Sequence, residues 1–377
     1  MGQLRLLKGL DSCVGRIAVR IAAFIPQRLP AGPPASFLLI RPGGIGDAVH
    51  LIPTISAIKT AYPDATIDVL AEKRNSAIFR LSPQIRRVFH YDRPAELFRA
   101  LCGSYDVVID TEQWHRLSAV VARMARAPVL IGYATNERAR LFTHPITYSQ
   151  DEYEIDSFFR LLTPLDVAQR KVSFPFLAIP REAVERGDAL LREIKEKAFV
   201  TIFPGASIPE RRWGAERFGK IAEMLAALGM AVVVVGGRED EGQGKVIVAG
   251  GAGLNLAGRT SLSETAAVIQ KSALLVSGDS GVLHIAVGLG VPTVSLFGPG
   301  RAKKWAPRGD RHLVIDKGLT CSPCTTFGTT PPCPIAARCM RDITVDEVCN
   351  AVTVLLAATG GLPSSCCQDK EGGKRRS

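Results

Sequence analysis

The chain has 377 residues, 46% hydrophobic and 22% charged, the make-up of a soluble globular protein with room for two domains. Its net charge of +11 favours an anionic partner. It carries no basic run interleaved with aromatics and no nucleic-acid motif, so no nucleic acid is expected among its partners. Nine cysteines is an odd count, and no secretory cleavage pattern precedes them, which argues for a reducing compartment and against a disulfide framework.

Residues 3–25 interleave Leu4, Leu6, Leu7, Leu10, Val14, Ile17, Val19, Ile21, Phe24 and Ile25 with Arg5, Lys8, Arg16 and Arg20. The charges exclude a spanning helix, which needs about 20 mostly apolar residues. Two readings stay open: a basic amphipathic helix lying on an anionic bilayer, or a helix packed on the protein's own surface. Pro26, Pro30, Pro33 and Pro34 then read as a linker, so residues 1–35 stand apart from the first domain.

The first domain, 36–175, opens with the buried-strand run Phe37-Leu-Leu-Ile40. Arg41-Pro-Gly-Gly-Ile-Gly-Asp47 follows, and a helix runs to about Tyr62. Further strands are predicted at Thr66–Leu70, Arg87–Phe89, Asp106–Ile109 and Val129–Ile131, with helices between, which argues for a parallel sheet. Gly44 and Gly46 after a strand resemble part of a dinucleotide fingerprint, but its third glycine would fall at Val49. Residues 150–198 are rich in charge and hold Pro164, Pro175 and Pro180, as an interdomain segment would.

A second alternating series fills 176–359. Its strands are predicted at Phe199–Phe203, Ala231–Val235, Leu254–Leu256, Ala273–Val276, Thr293–Leu296 and His312–Ile315. The loop Gly278-Asp279-Ser280-Gly281 sits between a strand's carboxyl end and a helix's amino end, where free N–H groups and the helix dipole suit an anion. A phosphate-bearing ligand and an ordinary βα turn capped by Asp279 or Ser280 are both open on this loop alone. Cys321, Cys324, Cys333 and Cys339 cluster ahead of Met340. Such spacing suits a structural zinc, with free thiols or a locally packed loop as the alternative. From Gly360 the tail is rich in Gly, Ser, Lys and Arg and reads as disordered.

Four strand ends deliver polar residues to one edge: Arg41–Asp47, Pro204–Ser207 with Arg211-Arg212-Trp213, Gly236–Glu239, and Gly278–His284. Two such α/β halves suggest two facing Rossmann-like domains with parallel sheets and an interdomain cleft, ligands lying outside the strands' carboxyl ends. With these residues in place the chain resembles glycosyltransferase family nine, the bacterial ADP-heptose:lipopolysaccharide heptosyltransferases and their relatives. The matching elements are Arg41-x-x-x-Ile45-Gly46-Asp47, Pro204-Gly-Ala-Ser207, Arg211-x-Trp213, Gly236-Gly237-x-Glu239, Asp279-Ser-Gly-x-x-His284 and Leu296-Phe-Gly-Pro299.

The resemblance implies an α/β fold of the GT-B type and inverting transfer of heptose, or a related sugar, from a nucleotide diphosphate donor such as ADP-heptose. It implies an acceptor side in the first domain, with Asp47 as general base in the loop of Arg41, Gly44 and Gly46. It implies a donor side in the second domain, with Ser207, Arg211, Glu239, Asp279, Ser280, Gly281 and His284. Arg211 stands where the family usually has lysine, which keeps the charge and changes the geometry. Glu239 would hold the donor's ribose or base. No cofactor is implied for transfer. The acceptor would be a phosphorylated, lipid-linked oligosaccharide, the lipid A core. The enzyme would lie in the cytoplasm, peripheral on the anionic inner face of the bacterial inner membrane. The other readings are a nucleotide-sugar epimerase of similar fold and an inactive nucleotide- or glycan-binding protein. Taken singly, Glu239 also fits a solvated acidic loop, His284 a hydrogen-bonded core histidine, Trp213 packing, and His50 a bystander beside Asp47.

Overall fold

The computed structural model describes residues 11, 14–29, 32–194, 197–251 and 253–362. The tail expected to be disordered lies outside them beyond residue 362, as do the first ten residues of the N-terminal segment. The chain divides into two compact units, Met1–Phe176 and Leu177–Ser377.

Unit 1 is built on six strands: β1 (Ser36–Arg41), β2 (Thr66–Ala71), β3 (Arg87–His90), β4 (Val107–Asp110), β5 (Val129–Tyr133) and β6 (His144–Ile146). They lie in the order β3-β2-β1-β4-β5-β6, and every pair is parallel. Phe37 to Ile40 are fully buried, as expected of a run covered by helices on both faces. The helix Ile45–Ala61 is buried over most of its length, including His50 and Pro53, which explains its nearly unbroken apolar sequence. β6 is absent from the sequence-based strands. It has three residues, one of them Pro145, so it is too short for a period-two pattern and sits at the sheet edge, where a missing N–H is tolerated.

Unit 2 repeats the plan with β7 (Phe199–Phe203), β8 (Ala231–Val234), β9 (Gly253–Asn255), β10 (Leu274–Gly278), β11 (Thr293–Phe297) and β12 (His312–Asp316). The order β12-β11-β10-β7-β8-β9 is the same topology counted from its own first strand, again wholly parallel. Two of its helices start where the sequence supplies reciprocal caps, Ser261 with Glu264 and Thr344 with Glu347. Trp213 is buried in the unit 2 core, edge-on to Phe218, and its Nε1 donates to the Ile343 carbonyl at 2.9 Å. It is a packing residue, the apolar body and polar tip both satisfied.

Both units are therefore Rossmann-like domains, the two halves of a GT-B α/β fold. In such a sheet the chain leaves the first strand for one side and returns later on the other. The carboxyl ends of those two neighbours form a crevice at the switch point, and ligands bind there. Unit 1 has its switch point between β1 and β4, and unit 2 between β7 and β10.

The N-terminal helix does not choose between its two sequence readings. Along residues 14–22, Val19 and Ala22 are buried in the unit 1 core with Ala119, Val121, Ala122 and Ala125. Asp11 accepts from the Arg116 and Leu117 amides, at 3.1 and 2.9 Å, at the start of the helix Arg116–Met124. Val14, Ile17 and Ile21 stay at least half exposed.

Candidate functional site

In unit 1 the crevice is made by the loop after β1 and the loop after β4. Arg41, the last residue of β1, is 1% exposed. Its Nε donates to the Pro42 carbonyl at 2.7 Å and its Nη1 to the Thr111 carbonyl at 2.7 Å. Its Nη2 donates to Glu112 Oε2 at 3.0 Å and reaches Gln113 Oε1 at 3.4 Å. The same Nη2 lies 3.6 Å from Asp47 Oδ2. Burial opposes the guanidinium's charge, but the carboxylates of Asp47, Glu112, Glu154 and Asp110 outweigh it and raise its pKa. Gly43 has φ +107°, and a Cβ there would sit 3.2 Å from Arg41 Nη2, so backbone and arginine both call for glycine.

Asp47 stands in the first turn of the helix Ile45–Ala61, with Gly44 at the N-cap and Gly46 beside it. The helix dipole and Arg41 both favour its ionised form. A Cβ on Gly44 would meet the Asp47 carboxylate at 3.4 Å, so glycine lets the carboxylate fold back over the helix start. Asp47 remains one-fifth exposed, whereas Arg41 is sealed, so only the carboxylate is open to a ligand.

Four partners in this network escaped the sequence reading. Glu112 and Gln113 follow β4, Arg138 lies in the turn Glu137–Leu141, and Glu154 opens the helix Glu154–Arg160. Arg138 pairs with Asp110 and donates to the Glu112 carbonyl. Gln113 Nε2 donates to Glu154 Oε1 at 2.6 Å, and the Tyr148 hydroxyl donates to Glu154 Oε2 at 3.0 Å. Burial raises the pKa of Asp110 against the pull of Arg138. For Glu112, burial is outweighed by the charges of Arg41, His115 and Arg138, and the pKa falls. The polar run Asp110-Thr-Glu-Gln113 directly after an apolar strand was the readable signal.

Unit 2 gathers its residues at the ends of β7, β8 and β10. Arg211 ends the turn Pro209–Arg211, and its Nη1 lies 2.9 Å from Asp279 Oδ2. A Cβ on Gly278 would lie 3.1 Å from the Arg211 carbonyl, so glycine at the end of β10 lets the β7 loop pack against it. Arg211 Nε is buried without a hydrogen-bond partner among the described residues. A buried free donor of this kind, at a helix amino end, matches an anionic oxygen. Asp279 has its pKa raised by burial, with Arg211 pulling the other way.

Ser280 is the N-cap of the helix Gly281–Gly288. Its Oγ accepts from the Leu283 amide at 3.2 Å and meets Ser277 Oγ at 2.9 Å. The capping reading thus holds for this side chain, and a ligand here would meet backbone N–H groups at Gly281. Ser207 is exposed in the loop after β7, and Glu239 is exposed in the turn after β8. The residue after it was missed. Asp240 is buried, its Oδ2 accepts from the Gly237 amide at 3.0 Å, and its carboxylate fills the space a side chain at Gly205 or Gly236 would take. It ties the β7 and β8 loops together.

His284 is buried, and burial followed by the charge of Arg211 lowers its pKa to about 3. It stays neutral at physiological pH and adds no positive charge for an anion. Unfolded, it would protonate near 6.5, so the unfolded chain binds the extra proton between those values and stability falls as pH falls. Going from pH 7 to 5 should cost about 2 kcal/mol through this residue. His312, lowered to about 4 mainly by burial, adds to the slope of the native protein. Urea unfolding of His284→Gln against the native protein isolates the share of His284, and identical pH slopes would contradict it.

The four clustered cysteines line one small cavity with Glu210, Pro299 and Pro331. Among the described residues, however, no three of His, Cys, Asp or Glu come together as a metal site. The structural zinc that the spacing allows, one of the readings left open, has no ligand set among the described residues. Cys333 Sγ accepts from the Ala337 amide at 3.2 Å, and Cys339 packs under Gly298. Burial, with the neighbouring thiols, raises the pKa of Cys324 and Cys339 and keeps them neutral. Cys339→Ser should cost about 1–2 kcal/mol in chemical denaturation by placing a hydroxyl in an apolar setting. Nucleotide affinity should be unchanged.

The sequence profile of glycosyltransferase family 9 (heptosyltransferase) matches residues 95–333. Lipooligosaccharide heptosyltransferase 2 of Haemophilus influenzae is 25% identical over 306 residues, 74% of this chain and 88% of that protein. Lipopolysaccharide heptosyltransferase 3 of Escherichia coli is 28% identical over 300 residues, 72% of this chain and 86% of that protein. Among solved structures, a family 9 glycosyltransferase from Veillonella parvula superposes with a TM-score of 0.72 at 19% identity, covering 86% of this chain and 97% of that one. The E. coli ADP-heptose lipopolysaccharide heptosyltransferase II gives 0.70 at 22% identity, covering 86% and 99%. These superpositions show a shared fold, and the profile match shows kinship. With that profile match over more than half of its length, the chain belongs to glycosyltransferase family 9 and is a glycosyltransferase.

Proposed function

We propose that this enzyme is an inverting heptosyltransferase that moves heptose from ADP-heptose to the core of a lipopolysaccharide acceptor, the phosphorylated lipid A core. The observation that carries the reading is the division of chemistry between two switch points in a family 9 chain. Unit 2 offers a helix amino end beside Arg211 and its buried free Nε, suited to a diphosphate. Unit 1 offers the part-exposed carboxylate Asp47, held beside a sealed arginine. The names of the relatives supply the sugar and the acceptor.

In this reading unit 2 binds the donor and unit 1 carries the acceptor side. An acceptor hydroxyl attacks the anomeric carbon from the face opposite the diphosphate. As the new C–O bond forms, its proton passes to Asp47 while the bond to the diphosphate oxygen breaks. The departing diphosphate keeps the electron pair, and the N–H groups at Gly281 together with Arg211 stabilise its charge. Arg41 positions Asp47: its Nη2, fixed by Glu112 Oε2 at 3.0 Å, stands 3.6 Å from Asp47 Oδ2. In the same reading Ser207 and Glu239, both exposed after β7 and β8, would contact the donor, Glu239 at its ribose or base. Transfer needs no metal in this scheme, because the leaving charge is met by the protein's own donors.

The acceptor would be met on the cytoplasmic face of the inner membrane, where the net charge of +11 favours anionic lipid. No described helix is long and apolar enough to cross a membrane. Mass spectrometry of lipopolysaccharide from cells lacking this protein tests the whole reading. Loss of a heptose, restored by the native chain and not by Asp47→Asn, is the expected result. An unaltered core would overturn it.

A further inference from the structure

The helix at residues 14–22 has three faces. At about 100° per residue, Gly15, Val19 and Ala22 share one side, which is buried. Arg16 and Arg20 come next around the axis, and both are exposed. Val14, Ile17 and Ile21 make up the third side, and the stripe continues into Phe24 just past the helix. Their exposures are 50, 61, 67 and 89%. Leu29, 88% exposed, extends the apolar surface along the following segment. A helix that has already docked one face on its own domain has no folding reason to keep a second apolar stripe.

Along the chain the charge at the stripe has one sign, although across the fold Arg16 Nε also lies 3.6 Å from the part-exposed Glu137 Oε1. From Ser12 to Gly46 the sequence contains no Asp or Glu, while Arg16, Arg20, Arg28 and Arg41 are all basic. Arg123 Nη2 donates to the Ile25 carbonyl at 2.7 Å, which brings the end of the helix Arg116–Met124 alongside. Exposed Met124 and Arg126 there repeat the pairing of apolar and basic groups. A protein partner's surface carries both signs of charge. An anionic bilayer presents a plane of phosphates over hydrocarbon, which fits arginines set at the rim of an apolar stripe.

We infer that Val14, Ile17, Ile21 and Phe24 form a membrane-docking stripe that inserts into an anionic lipid surface, with Arg16 and Arg20 at the phosphates. The helix is thus a bracket, one face anchored in unit 1 and the other in lipid. The inference deepens the membrane side of the proposed function and needs none of its transfer chemistry.

The test is flotation of the full chain with vesicles of phosphatidylglycerol and phosphatidylcholine, and with phosphatidylcholine alone. The native protein should float with the anionic vesicles and be released by salt. Ile17→Ser combined with Ile21→Ser and Phe24→Ser should lower the partition coefficient more than about ten-fold, with the melting temperature little changed. Phe24→Trp gives a second readout that leaves the stripe apolar. Its emission should shift to the blue on anionic vesicles beyond any shift of the native protein. Failure of the native protein to bind anionic vesicles, or equal binding by the triple variant, would overturn the inference. So would a dimer in gel filtration that the triple variant abolishes, without vesicle binding, because the stripe would then be a contact between copies. Transfer to a detergent-dispersed acceptor should be the same for native and triple variant, so a wrong substrate assignment leaves the vesicle result standing.

Discussion

Asp47→Asn is expected to reduce turnover about 100-fold or more while leaving the melting temperature and nucleotide affinity near native. Asparagine keeps a carbonyl oxygen for Arg41 Nη2, now 3.6 Å from the carboxylate, and suits a first helical turn nearly as well as aspartate. It cannot accept the proton that leaves the acceptor hydroxyl. The competing account makes Asp47 a helix-end residue only. Its loss would then cost about 1 kcal/mol of stability, and catalysis in the folded fraction would persist. Turnover measured with both substrates saturating separates the two. A folded Asp47→Asn enzyme within a few-fold of native turnover would remove Asp47 from the chemistry.

Arg211→Ala is expected to weaken binding of a nucleoside diphosphate roughly 30- to 100-fold, measured by calorimetry. This is the size of a lost charge-assisted contact. The structure says why the protein should survive the change. Arg211 balances Asp279 at 2.9 Å, and a buried carboxylate without its cation would be costly. Burial has already raised the pKa of Asp279, however, so it can take up a proton when the arginine goes. Arg211→Lys should recover part of the affinity, since it restores a charge without the planar fork. Affinity within three-fold of native for the alanine variant would move the phosphate contact elsewhere.

Much of this architecture was legible because parallel sheets bury both faces of their strands. Phe37–Ile40, Ala231–Val234 and Leu274–Val276 announce themselves as apolar runs, and the glycines and polar residues just after them mark strand ends. β6 carried no such run, and its proline pointed away from a strand. At the ends of β1, β7, β8 and β10 the loops to watch could be named, since each motif is a local strand-to-helix turn. Which side chains those loops trade contacts with was not local. Arg41 meets Glu112 because β1 and β4 are neighbours in the sheet, although 71 residues separate them in the chain. Glu154 joins through Gln113 from a stretch that reads only as charged helix.

By itself, then, the sequence determined the alternation of strand and helix, the plan of two Rossmann-like domains and the strand ends where chemistry gathers. Burial periodicity and turn chemistry are properties of short segments. Tertiary structure alone decided that Arg41 is sealed and turned to hold Asp47, and that Ser280 spends its hydroxyl on a helix cap. It decided that the cysteine loop packs without assembling a metal site among the described residues, and that the first helix buries one face and leaves another bare. These outcomes depend on which elements become neighbours and at what distance, and spacing along one segment carries no information about a partner on another.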